Sequence, residues 1–428
     1  MSSRHLCFAA ALLSACCGAS SAFAEAVPVE VRHAGVAGGF SEVPNRLYVT
    51  VEVCDADGTC IQVPDVVVDT ASVGLRVNRA VLGDLRLPEV TDLETGTPLR
   101  ACGRLPQGTI WGDVVEARVG IGALSTRWAI PIQTYTVQTG RGRRFDAPVD
   151  CGDRDEDLAQ SGVLAGNGVL GIGPQRNDCQ FTVQPGVDES PEWERLVGAC
   201  PLTPTDARYF VATPYGRWVP VAPPPSQRLP NPVVAFPVGH DDGVVLRLEA
   251  VPDKGSPSAR GQLGLGFDAS SLAWFATAPR ALPFETWPTL PINVDGERVK
   301  AEFSSSAQTV EFSKSLAKRF DIKRATVEHP RELHLSLDPV EPDWFDLLLN
   351  PLLAQQQLAP RPLATLRVFD IYRSSGGEEL RHNAAQPGAA TIGSSALPVI
   401  TLGLPFFYGR TLGIGLPSPE YPRGYLLY

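Results

Sequence analysis

The tetrapeptide Asp69-Thr70-Ala71-Ser72 closes the apolar run Val66-Val67-Val68 and precedes Gly74-Leu75. A carboxylate at the end of a buried strand is costly unless polar groups solvate it. The hydroxyls of Thr70 and Ser72 can do this, as can the backbone N–H groups of the tight turn that small Ala71 permits. Paired with a second carboxyl group, such an Asp could activate water by general acid–base chemistry. Taken alone, the tetrapeptide equally reads as a solvated Asp opening a turn.

Three other stretches bear on the choice. They are Gly108-Thr109-Ile110-Trp111-Gly112, Asn167-Gly168-Val169-Leu170-Gly171-Ile172-Gly173, and Leu402-Gly403-Leu404-Pro405-Phe406-Phe407-Tyr408-Gly409-Arg410. In this order and spacing the set resembles pepsin-like aspartic peptidases, over roughly residues 45–428. Those have an apolar-D-T-G-S loop, a flap hairpin, a D/N-G-I-L-G-L-G strand, a second D-[ST]-G loop and a late L-G-x-x-F strand. The Cys54–Cys60 spacing, Thr109-Ile110-Trp111-Gly112 and Gly403–Arg410 more closely resemble the exported bacterial proteins grouped as domain of unknown function 3443. The resemblance implies an all-β, bilobal, pepsin-like double barrel with a cleft between lobes. It also implies a first dyad position at Asp69, supported by Thr70 and Ser72, and a flap aromatic at Trp111, for which a buried strand Trp is the competing reading.

The second loop departs from that pattern. Its equivalent reads Ala301-Glu302-Phe303-Ser304-Ser305-Ser306-Ala307, so Ser304 stands where the second Asp belongs and Ser306 where Gly belongs. Ser305 is the supporting hydroxyl. Pepsin-type chemistry needs two carboxyl groups about 3 Å apart sharing one proton. A Ser hydroxyl can bond to Asp69 but cannot complete that exchange. Glu302 and Asp295 are the acids near enough in sequence to be weighed as substitutes.

The elements that must position these residues are mainly strands. Leu47, Val49, Val51 and Val53 alternate with polar neighbours, and so do Val115, Ala117, Val119 and Ile121. Residues 128–133 read as an edge strand because of Pro131. Further strands are expected around 244–250, 263–267, 290–299 and 333–337, with short helices at 313–320 and 343–357. With 40 Gly and 39 Pro in 428 residues, a helical bundle is excluded. The Pro-rich stretch 216–230 is expected to be an extended connector between a 25–215 lobe and a 231–428 lobe.

Residues 1–24 read as an export signal, with Arg4, an apolar core and Ala22-Phe23-Ala24. Leu13-Ser14-Ala15-Cys16 is also a lipoprotein-type signal, so release and lipid anchoring at Cys16 both stay open. Export makes the chain periplasmic or secreted. It fits six further cysteines, all before residue 201. The Asp57-Gly58 turn should bring Cys54 to Cys60 across a hairpin. The pairings Cys102–Cys151 and Cys179–Cys200 are a sequential assignment.

The net charge of −10 with no basic block argues against a nucleic-acid partner. No later stretch suits a transmembrane anchor. The scattered histidines and the absence of a CxxC spacing give no metal site, and no cofactor is expected. His240-Asp241-Asp242-Gly243 reads as a turn, and Gly152–Asp157 as a solvated acidic loop. Gly393-Ser394-Ser395 lacks the context of a nucleophile elbow. The expectation is therefore a monomeric exported protein, aspartic-peptidase-like but without peptidase activity, that binds an extended peptide or protein in its cleft. The alternative is an active acid endopeptidase using Asp69 with another acid.

Overall fold

The computed structural model describes residues 26–36, 39–41, 43–105, 108–136, 147–148, 151, 164–179, 208–284, 289–326, 328–337, 361–369, 383–393 and 398–428. The expected signal segment with Cys16, the 152–157 loop, Cys200, the 343–357 helix and Ser394-Ser395 lie outside them.

Two arrangements of strands repeat along the chain. In the first half, the strands Leu47–Cys54 and Cys60–Asp69 form a hairpin. At its tip Gly58 takes a φ of 82°, which L side chains rarely adopt. Asp55 caps the turn, accepting from the N–H groups of Asp57 and Thr59. The chain then reverses through residues 70–72 into Val73–Asn78. Gly168–Ile172 threads between the two arms of that reversal, parallel to the strand ending in Asp69 and antiparallel to Val73–Asn78. A Cβ on Gly171 would lie 2.6 Å from the backbone N of Val73, so only Gly lets the threading strand come this close.

The second half repeats the plan. Thr289–Val294 and Glu297–Phe303 form the hairpin, and Val310–Phe312 follows the reversal. Val399–Leu402 threads between them with the same parallel and antiparallel sense. Even the outer neighbours correspond. Ile130–Tyr135 lies parallel to Val73–Asn78, and Ala390–Ile392 lies parallel to Val310–Phe312. The expected short helix after the second reversal is present at Lys314–Arg319.

A further group of strands joins the halves. Val27–Val31 pairs with Ala259–Leu265, which continues through Gly243–Leu248, Thr411–Gly415, Tyr425–Leu427 and Ala281–Pro283. One hydrophobic core runs through both halves, including Val66, Leu75 and Leu170 from the first and Phe303, Val310, Leu402 and Phe406 from the second. The all-β, bilobal expectation holds.

Two local expectations are corrected. Residues 216–230 are not simply extended: Trp218–Val221 is a strand paired with Tyr209–Ala212, and Pro225–Gln227 is a 3₁₀ turn. Trp218–Val221 ends its sheet, so Pro220 sits where a missing donor is tolerated. Conversely, Ile130–Tyr135 is internal, between Gly108–Ile121 and Val73–Asn78. Pro131 fits because the pairing with Val73–Asn78 begins only at Gln133. Among the described residues no helix is long and apolar enough to cross a membrane.

Candidate functional site

The two reversals meet at the centre of the molecule and exchange four hydrogen bonds. The Thr70 N–H donates to Ser305 Oγ at 3.1 Å, and the Ser305 N–H donates to Thr70 Oγ1 at 3.0 Å. Each hydroxyl then donates across to the other half. Thr70 Oγ1 reaches the Phe303 carbonyl at 2.9 Å, and Ser305 Oγ reaches the Val68 carbonyl at 2.7 Å. Both acceptors lie two residues before the grip residue of the opposite loop. The pattern is two-fold symmetric and fixes the correspondence of the loops: Thr70 with Ser305, Asp69 with Ser304, Ala71 with Ser306.

Asp69 and Ser304 are wholly buried. Asp69 Oδ1 accepts the Ala71 N–H at 2.9 Å, the solvation expected of a tight reversal. Its Oδ2 is buried without a hydrogen-bond partner among the described residues. Ser304 Oγ lies 3.2 Å from Ser306 Oγ, and the Ser304 N–H donates to the Leu402 carbonyl at 3.1 Å. One loop thus supplies a carboxylate and the other a pair of hydroxyls. The Ser72 hydroxyl is buried beside the first loop.

Glu302 supplies the other acid near this centre. In Glu297–Phe303 the residues Val299, Ala301 and Phe303 face the core. Glu302 lies on the opposite face, half-buried. It is opposite Thr401 in the parallel neighbour strand, and Thr401 is in turn opposite Glu311. Burial, then the charge of Asp69, then that of Glu311, push the Glu302 pKa up to about 7. Glu302 therefore holds its proton at acid pH. Asp295 is engaged elsewhere. It forms the hairpin turn at φ 48°, accepts the His334 N–H at 2.8 Å and lies 3.6 Å from Arg331.

Two residues that sequence reasoning passed over brace the second loop from the first half. Asn45, at φ 52°, donates through Nδ2 to the carbonyls of Gln308 (2.7 Å) and Gln386 (2.9 Å). Its Oδ1 accepts from the Gln386 N–H and the Tyr408 hydroxyl. Buried Arg46 donates to the Ser306 carbonyl. The available signal was the Pro44-Asn45-Arg46 turn before a strand, which says nothing of partners hundreds of residues away.

Trp111 lies in Gly108–Ile121, buried, with its ring edge-on to Phe210 and Trp218 and beside the Cys102–Cys151 disulfide. The described surroundings are those of a packed strand Trp. Cys54–Cys60 and Cys102–Cys151 are bonded. Cys179 is also disulfide-bonded, to a residue outside the described ones. Glu52, Cys54 and Cys60 cluster closely, but both sulfurs are spent in the disulfide and cannot serve as thiolate ligands. His240–Gly243 is a turn, in which the Gly239 N–H donates to Asp241 and His240 Nδ1 lies 2.8 Å from the Leu265 carbonyl.

Two reversals, each threaded by a strand and gripping the other through hydroxyls, define a two-lobed pepsin-like β protein. The sequence profile described as "Protein of unknown function (DUF3443)" matches residues 21–424, and the chain belongs to that family. The family resemblance read from the sequence is thereby borne out. No curated protein matches the chain. Among solved structures, it is similar to the aspartic proteinase from Irpex lacteus, with a TM-score of 0.48 and 12% identity over 94% of this chain and 96% of that one.

Proposed function

We propose that the chain is an exported aspartic-peptidase-like protein without pepsin-type activity, and that its inter-lobe cleft holds an extended peptide or protein segment. The observation carrying this reading is Ser304 at the position symmetric to Asp69, within a reciprocal grip that is otherwise complete. The scaffold that would align two acids is retained, while one acid is replaced by a group that cannot share the proton. Loss of one member of such a pair removes several powers of ten in rate. Recognition of a bound segment would rest on main-chain hydrogen bonds, as in strand addition. The test is a peptide library incubated with the disulfide-intact protein from about pH 2 to 7, with and without an aspartic-peptidase inhibitor, reading both cleavage and retention. Retention without cleavage is expected. Cleavage that Asp69→Asn abolishes would overturn the reading.

One observation favours a second reading, an acid hydrolase in which Glu302 partners Asp69. Glu302 is protonated at acid pH and electrostatically coupled to Asp69. Under this reading Glu302→Gln abolishes an acid-range cleavage that Ser304→Ala leaves intact.

A further inference from the structure

A cavity of about 890 Å³ lies apart from both loops, on the outward face of the sheet that joins the halves. Pro28, Gln262, Arg247 and Thr411 stand in one row across its four strands, and Arg260 lies one pleat from Gln262 on the same face. Trp274, Phe275 and Tyr428 form walls, and Arg410 lines the cavity with its guanidinium 4.7 Å over the Phe406 ring.

Among the described residues no carboxylate pairs with Arg247, Arg260 or Arg410. Arg410 donates only to carbonyls, those of Phe406, Tyr408 and Thr365. Glu249 is the one acidic side chain among the described lining residues, and its Oε1 already accepts the Arg260 N–H at 2.7 Å. The three guanidinium groups outnumber the Glu249 carboxylate and the terminal carboxylate of Tyr428 in the lining, and Glu30 lies opposite Arg260 at the edge of the face, so the hollow keeps a small positive excess on a chain whose net charge is −10. The Tyr428 hydroxyl is buried without a hydrogen-bond partner among the described residues. Most surface arginines of folded proteins find an acid or stay dispersed. Arg247 and Arg260, diagonal neighbours on one sheet face beside aromatic walls, suit an anion with an aromatic body.

We propose that this cavity binds an aryl carboxylate. Arg247 and Arg260 face the carboxylate, Trp274 and Phe275 flank the ring, and the Tyr428 hydroxyl offers a further donor. Diagonal neighbours on a sheet face are within reach of two long side chains converging on one anion. A planar fork on each side suits the two oxygens of a carboxylate better than a neutral amide, which returns no charge to the arginines.

The test is calorimetric titration of the disulfide-intact protein with 2-naphthoate, and with 2-naphthamide as its neutral counterpart. The naphthoate is expected to bind at least tenfold more tightly at low salt, with the advantage shrinking as salt rises. Arg247→Ala and Arg260→Ala, both at exposed positions, should each weaken naphthoate binding at least fivefold and leave the thermal midpoint unchanged. Equal affinity for the acid and the amide would overturn the proposal. So would naphthoate binding indifferent to both substitutions, or no binding up to about 1 mM.

Discussion

Thr70 and Ser305 lie 235 residues apart in the chain, yet each donates its backbone N–H to the other's hydroxyl. Each hydroxyl then satisfies a carbonyl of the opposite half. Each loop thus satisfies buried polar groups of the other.

Removing either hydroxyl leaves buried polar groups without partners. Thr70→Ala and Ser305→Ala should each lower stability by about 1–3 kcal/mol per orphaned group, whereas Thr70→Ser should be mild. The double variant should lose less than the sum of the two, because both single changes break the same network. Denaturant midpoints of the four proteins test this, and strict additivity would count against a shared network.

Glu302 makes stability depend on pH in a defined direction. Its folded pKa of about 7 is above the ordinary glutamate value of 4.5, so the folded state holds the proton more tightly. Stability is therefore unaffected below about pH 4.5 and is lost as pH rises from there through about 7. Glu302→Gln should flatten that decline, gaining on the order of 1–3 kcal/mol at pH 8 and nothing at pH 4. Urea midpoints at the two pH values decide it.

The two disulfides should differ in weight. Cys54–Cys60 closes a separation of 6 residues and Cys102–Cys151 one of 49. By the chain-entropy estimate, replacing the first pair by Ser lowers stability by roughly 2 kcal/mol and the second by roughly 4 kcal/mol. Cys102 and Cys151 are also buried beside Trp111, which adds a packing loss. Thermal midpoints of the two double variants should fall in that order.

Ser304→Asp would set a second carboxyl group opposite Asp69 in a wholly buried site. One of the two should then titrate well above the ordinary carboxylate range. The variant should be clearly less stable than wild type at pH 7 and close to it at pH 4, as denaturation at the two pH values would show. A pH-independent difference would mean that the two side chains do not face each other.

Asn45 combines a left-handed backbone with four side-chain hydrogen bonds. Asn45→Ala should cost several kcal/mol, since it strands buried carbonyls and strains φ. Asn45→Gly should be less damaging by about 1 kcal/mol, since it removes the amide but not the backbone fit. The two losses, compared by chemical denaturation, separate the contributions.

The first loop was legible because an Asp after three valines is chemically conspicuous. The second reversal was legible through its context: a hairpin before it, a short helix after it and serines at the matching spacing. Glu302 was visible only as a neighbour in sequence. Its coupling to Glu311 depends on the register of three strands, Glu302 opposite Thr401 opposite Glu311, and the middle one lies about a hundred residues downstream. Pro131 misled because its missing donor marks an edge locally, while the same strand is internal two residues later. The joining sheet was legible in its strands around 244–250 and 263–267, but not in the pairing of Val27–Val31 with Ala259–Leu265, because those partners lie far apart in the chain.

That sheet has a kinetic consequence. Val27 is paired with Leu263, so the first strand to be synthesised has as its main partner a segment made on the order of 10–50 s later at usual elongation rates. Until then its alternating valines, Val27, Val29 and Val31, present an uncovered edge. Assembly from the N-terminus onward cannot close the molecule, and the halves must wait for one another. Pairings this distant also make folding slow. Chains interrupted before residue 265 should therefore be insoluble or bound by chaperones, even where every residue of the first lobe is present.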